Sequence, residues 1–320
     1  MIWVETLING ALLGGLYGLL GIGLALVFGV MRVVNIAHGE FMVLSAFCAV
    51  LFANLFPQVS PLLMLIPVIA LSFAVGWLYQ AAIVNRVVTS PDPLSPLLLT
   101  FGVSVILRNV MVEVFGADVR SLQVGELSRA SLEIAGLNIG IMPLLTLVLL
   151  GTLVLRASLE IAGLNIGIMP LLTLVLARSA VAALLFMALQ LVLRHTEFGR
   201  IVRATADRRD IVRLSGIKPD RVYNYVMGLS LALGAIGGVL LAVRSSFTPF
   251  AGAERLLIAF EVVVLGGLGS FWGALLGGIA LGMAQLIGLK IDPNAGLLYA
   301  HLLFFIMLLI RPSGLVSSRV

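Results

Sequence analysis

Asn35, His38 and Glu40 are residues whose types could do chemistry, set where a simple span would keep leucines. They lie in Asn35-Ile36-Ala37-His38-Gly39-Glu40, between two long apolar runs. The chemistry open to them is solute passage. Polar, glycine-broken backbone at membrane depth is tolerated only where it is buried in protein or lines a cavity. The same six residues also fit a plain interfacial loop with His38 and Glu40 solvated, and their types alone do not separate the two readings. A second interruption, Gly266-Gly267-Leu268-Gly269-Ser270, breaks a distal apolar run that also carries Glu261. Paired interruptions in the two halves of a membrane chain point to a midplane transport path.

Bond-making chemistry is not expected. There is no GxxxxGK[ST] phosphate loop, serine nucleophile elbow, HExxH or CxxC, and the only lysines are Lys218 and Lys290. His38, His195 and His301 are far apart, with no carboxylate motif around them. Thr205 to Asp210 lacks metal-ligand spacing, and Asp207 and Asp210 are expected to pair with neighbouring arginines. Glu261 is the main acid inside a span, so a pump-like proton relay has little support. The single Cys48 excludes an intrachain disulfide framework and reads as small apolar filler. The chain is therefore expected to be no enzyme and to use no cofactor or metal.

The elements that position these residues belong to a membrane protein. Of 320 residues, 61% are hydrophobic and only 11% charged, and glycine numbers 34, as in close-packed transmembrane helices. The net charge of +5 is what the positive-inside bias produces, and no basic run is interleaved with aromatics as a nucleic-acid groove needs. Leu7 to Met31 reads as a retained first span, with Gly10, Gly14, Gly18 and Gly21 as a ridge for close helix approach. Phe41 to Phe56 is short for a span, and Leu62 to Val84 is ample. Leu94 to Phe115 carries Thr100, Gly102, Ser104, Arg108 and Asn109, with Arg108 expected to snorkel to an interface.

Arg120 to Asn138 is mixed and polar. Arg129 to Leu149 then recurs unchanged as Arg156 to Leu176, 21 residues repeated at an offset of 27. Two copies without capping logic are no solenoid. The repeat reads as a recent duplication or a sequence-level artefact. Gly140 to Leu155 is short for a span, and without one copy a single ordinary span remains, about Ile168 to Leu193, with Arg178 inside it.

Arg194 to Arg221 is a charged island, with eight basic residues against four acids. Its balance places it in the cytoplasm. Glu197 to Ser215 permits a short helix whose apolar face suits docking, ended by Gly216 and kept from resuming by Pro219. Val222 to Val243 spans, Arg244 to Arg255 connects on the opposite side, and Gly273, Gly277, Gly278 and Gly282 continue a small-residue ridge. Ala295 to Ile310 is the last span, flanked by Arg311 and Arg319, which fits a cytoplasmic C-terminus. The fold expected is an all-α polytopic bundle of about 8–10 transmembrane helices with broken or re-entrant segments.

Four segments carry a family resemblance. They are Gly14-Gly15-Leu16-Tyr17 through Gly23-Leu24-Ala25 to Glu40; Pro96 to Val105 with Thr100-Phe101-Gly102; Phe198-Gly199-Arg200 with Arg203-Ala204 and Gly216-Ile217; and Val264 to Ser270 followed by Gly273 and Gly277-Gly278. In this order they resemble the inner-membrane permeases of ABC importers for branched-chain amino acids, LivH/LivM type and closer to LivH. Val212, where the family pattern has an alanine, is a mild departure, and the inserted repeat a serious one.

The resemblance implies one permease domain over residues 1–320, multi-pass in the inner membrane, with residues 194–221 docking on ATPase subunits. A second, LivM-like permease subunit and a periplasmic substrate-binding protein complete the system. It assigns coupling to Gly199, Arg200, Arg203, Ala204, Asp207, Gly216 and Ile217. The transport path falls to Asn35, His38, Gly39, Glu40, Thr100, Gly102, Gly266, Gly267, Gly269 and Ser270. Urea or amide cargo in the same role, and a stand-alone secondary transporter or channel, stay open as alternatives.

Overall fold

The computed structural model describes residues 2–59, 63–88, 90, 92, 94–122, 131–134, 137–140 and 191–316. The second repeat copy, Arg178, Arg319 and nearly all of the expected spans at 140–155 and 168–193 lie outside these residues. Of the first copy, Ser131–Ile134 (β1) pairs antiparallel with Leu137–Gly140 (β2), with Ser131 opposite Gly140. Among the described residues, this hairpin and an isolated bridge between Arg120 and Phe247 are small exceptions to helix.

The helices are α1 (Ile2–Met31), α2 (His38–Leu55), α3 (Leu65–Ala82), α4 (Leu94–Phe115), α5 (Glu197–Asp207), α6 (Arg209–Leu214), α7 (Pro219–Arg244), α8 (Gly252–Gly266), α9 (Phe271–Ile291) and α10 (Gly296–Ile310). Among the described residues, α1 to α4, α7 and α9 include six stretches long and apolar enough to cross a membrane. Helices apolar all round must be buried or face lipid. The spans of α1 and α7 are each 89% buried and form the centre, whereas those of α3 and α4 are 22% and 17% buried and lie outside.

Glycine sets the central packing. A Cβ on Gly14 would overlap the backbone of Gly278 and Ile279, and one on Gly282 would meet Gly10 and Gly14. The backbones of α1 and α9 therefore touch directly, as small-residue ridges allow. Gly21 lies against Val262 of α8 instead, so the expected ridge serves two partners.

Two of the membrane elements are broken. After Met31 the chain turns at Arg32 (φ 54°), and α2 begins at His38 beside Gly23 and Gly234, inside the α1 and α7 stacks. Gly23 lies eight residues before the end of α1, so α2 starts about 12 Å from that end. On the other side of the bundle, Phe247 exchanges backbone hydrogen bonds with Arg120. A 3₁₀ turn (Pro249–Ala251) then leads into α8. Its 15 residues reach about 22 Å, short of the ~30 Å hydrocarbon core. Gly267 (φ 107°) and Gly269 (φ 82°) break the chain again before α9. The expected connection from Arg244 to Arg255 is thus shorter, since its last residues already belong to α8.

Pro219 is not a stop. It occupies the first turn of α7, where its fixed φ and missing N–H suit a helix start. The island forms two helices, α5 and α6, with extended backbone at Arg208 between them. Met31, Val84, Leu193 and Val202 share one buried cluster, so the end of α1 and the 3₁₀ turn at Val84–Arg86 lie beside the island.

Candidate translocation site and coupling segment

Three elements, α3, α4 and α7, converge on the segment before α2. The Asn35 side-chain oxygen accepts from the Ala37 N–H (3.2 Å) and the Tyr79 hydroxyl (3.1 Å), and its amide donates to the Met227 sulfur (3.6 Å). The Ile36 N–H donates to Thr100 Oγ1 at 3.2 Å. Asn35, His38, Glu40 and Thr100 are all buried. Of the two readings open to NIAHGE, the structure takes the buried one.

Glu40, 1% exposed, is the charge at the centre. Its Oε1 accepts from Arg108 Nη2 at 2.6 Å, Arg108 Nε at 3.2 Å and Ser104 Oγ at 3.4 Å. Arg108 therefore turns inward, contrary to the snorkelling expected of it. A buried carboxylate within reach offers a desolvated partner that headgroups cannot match, and an acid at this depth needs a counter-ion. Thr100, Ser104 and Arg108 recur every fourth residue and so share one face of α4. That stripe was legible in the sequence as polar residues at helical spacing, and it was the missed signal. Gly102 falls off the stripe, and a Cβ there would meet nothing within 4 Å.

The start of α8 closes the site. A Cβ on Gly39 would overlap the Gly252 carbonyl, and one on Gly252 would overlap the Glu40 carboxylate. The N-termini of α2 and α8 thus meet across two glycines, with the Glu40 carboxylate between them. His38 is wholly buried, packed against Gly23 and Gly234. Neither ring nitrogen makes a hydrogen bond of ordinary geometry, the Leu20 carbonyl being the backbone group that faces it.

Gly266, Gly267, Gly269 and Ser270 do not join this cluster. Gly269 packs against Gly29, six residues along α1 from the Gly23 that faces His38, about 9 Å nearer the Met31 end of α1. Leu315 and Val316 donate backbone hydrogen bonds to Leu265 and Gly266, and Ser270 caps α9 by accepting from the Gly273 N–H at 3.0 Å. Glu261 is not isolated either. It pairs with His301 Nδ1 at 2.6 Å, although no carboxylate stands near that histidine in sequence. Among the described residues, no group of acids, histidines and cysteines could hold a metal ion.

The island is held firmly at its base. Thr196 caps α5 by accepting from the Gly199 N–H at 3.1 Å, and a Cβ on Gly199 would overlap the Leu193 backbone. The Arg203 guanidinium donates to the carbonyls of Leu193 and Arg194, so it joins α5 to the helical residues 191–195 just before it. Phe198 packs edge-on against Tyr225, with centroids 6.3 Å apart. Arg209 pairs with Asp220 at 3.1 Å and lies over the Tyr223 ring. Among the described residues, the island's ion pairs are this one and Arg200–Glu197, so Asp207 and Asp210 do not form the pairs expected of them. Gly216 holds φ +80°, and the half-buried Ile217 packs on the core beside Val202. Arg200, Ala204, Asp207, Ile211 and Leu214 remain exposed. Leu214, at 89%, and Ile211, at 52%, are exposed apolar side chains on the same short helix.

The family described as branched-chain amino acid transport system / permease component matches residues 6–311. The chain is 28% identical to the high-affinity branched-chain amino acid transport system permease protein BraD of Pseudomonas aeruginosa, covering 98% of this chain and 96% of that one. It is 26% identical to LivH of Salmonella typhimurium at the same coverage. A LivH described as probable, from Methanocaldococcus jannaschii, is 27% identical over 88% of this chain and 80% of its own. No solved structure matches. A family match over nearly the whole length, on a multi-pass helical bundle, leaves one conclusion: the chain belongs to the branched-chain amino acid transport system permease components.

Proposed function

We propose that this chain is the inner-membrane permease subunit of an ATP-driven importer for branched-chain amino acids. It works with ATPase subunits, a second permease subunit and a periplasmic substrate-binding protein, and does no catalysis itself. The observation that carries this reading is the island. An exposed face of Arg200, Ala204, Asp207, Ile211 and Leu214 is fixed to the base of the central α7 by Phe198 and Arg209, while Arg203 braces α5 on the carbonyls of Leu193 and Arg194. A surface so anchored can pass a push from a soluble ATPase into the bundle core, and rocking the broken helices α2 and α8 would give alternating access. Asn35, His38, Gly39, Glu40 and Thr100 form the translocation site in this reading, and Gly266, Gly267, Gly269 and Ser270 a hinge at its cytoplasmic side.

Reconstitution in liposomes tests it. With ATPase, second permease subunit and binding protein present, leucine uptake is expected only with ATP. Gradient-driven uptake by this chain alone would make it a secondary transporter and the island an orientation signal.

A further inference from the structure

The Glu40–Arg108 pair is incomplete in a way that points to a ligand. Both hydrogen bonds from Arg108 and the one from Ser104 go to Oε1. Oε2 is buried and has no hydrogen-bond partner, and it lies against Gly252 at the start of α8. No side chain caps α8 or α2. Each helix N-terminus carries roughly half a positive charge, and Arg108 adds a full one. Inside the cluster one carboxylate, Glu40, stands against this, and Glu254 in the first turn of α8 is exposed. The cluster therefore has surplus positive potential in apolar surroundings, and one carboxylate oxygen with unused acceptor capacity.

We propose that this cluster recognises the zwitterionic head of the cargo, a reading that rests on the importer function above. The α-carboxylate takes Arg108 and the uncapped N-terminus of α8, and the α-ammonium takes Glu40 Oε2. The internal ion pair is exchanged for two intermolecular ones, so no uncompensated charge enters the membrane interior, where it would be costly. Here α2 and α8 are closed on each other across Gly39 and Gly252. The head group enters when these two broken helices part, which makes recognition and opening a single event. A neutral solute offers neither charge and cannot replace the pair.

The full chain assembled with its partner permease subunit in nanodiscs tests this. L-leucine is expected to raise its thermal unfolding temperature. 4-Methylpentanoate, which lacks the ammonium, and isoamylamine, which lacks the carboxylate, should need at least about tenfold higher concentration, because sites built to pair a charged group reject analogues without it. Equal protection by either analogue, or none by leucine, overturns the proposal. In proteoliposomes, the charge-swapped E40R/R108E complex restores an internal ion pair but reverses the site. It should import leucine at less than about a tenth of the wild-type rate. Wild-type import by the swapped complex means that the pair is only structural, and leaves the importer reading intact. Absence of ATP-driven leucine import by the wild-type complex defeats both.

Discussion

At the scale of single residues, depth and charge dominate. Buried charged groups survive in a membrane only with partners, and here each finds one far along the chain: Glu40 with Arg108 and Glu261 with His301. The glycines beside Glu40 are just as specific, because a Cβ on Gly252 would meet the carboxylate and one on Gly39 the Gly252 carbonyl. Gly252→Ala is expected to push the carboxylate off Arg108 or force α8 outward. Overpacking of this kind costs about 1–3 kcal/mol. Thermal unfolding of the solubilised protein should show the loss, and ATP-driven leucine uptake should fall on the order of tenfold, the factor that 1.4 kcal/mol represents. Unchanged uptake would place Gly252 outside the working site.

At the scale of elements, the bundle is held by backbone-to-backbone contact between α1 and α9 and by the burial of α7. Lipid tails are as apolar as leucine, so helices in a bilayer gain from close van der Waals contact more than from excluding water. Gly14→Val puts three carbons where the Gly278 carbonyl and the Ile279 α-carbon now lie. It should lower the unfolding temperature and the yield of folded protein, while Gly102→Val, at a position open to space, should change neither. A similar loss at both sites would mean that the glycine ridge is not what joins α1 to α9.

At the scale of the whole molecule, the island and the translocation site lie at different levels and share α7 as their common support. Coupling then depends on two kinds of residue. Phe198 and Arg209 hold the island to α7, and Ala204 and Leu214 face outward. The double variant A204E/L214D alters only the outward face. Surface changes of that sort usually stay within about 0.5 kcal/mol, so stability should hold while stimulated ATP hydrolysis and uptake fall on the order of tenfold or more. ATP hydrolysis at the wild-type level would move the docking surface elsewhere.

Local patterns in the chain were enough for the class, the family and most spans. Long apolar runs, excess glycine and clustered arginine each report a solvent, and solvent preference is written in composition. Leu94–Phe115 was legible to the residue. Position along the chain, however, says nothing about which side chains meet. Arg108 reads as a snorkelling residue until Glu40, 68 positions away, lies beside it in space. His301 likewise stands alone in sequence and lies against Glu261 in the fold. Arg203 reads as a docking residue, yet its guanidinium ties α5 to the helical residues 191–195 before it. The two glycine-broken segments look alike as strings, but one begins a helix deep in the bundle and the other turns beside Gly29, near the end of α1. Depth and pairing come from how α1, α7 and α8 stack, and that stacking is set by contacts between residues hundreds of positions apart.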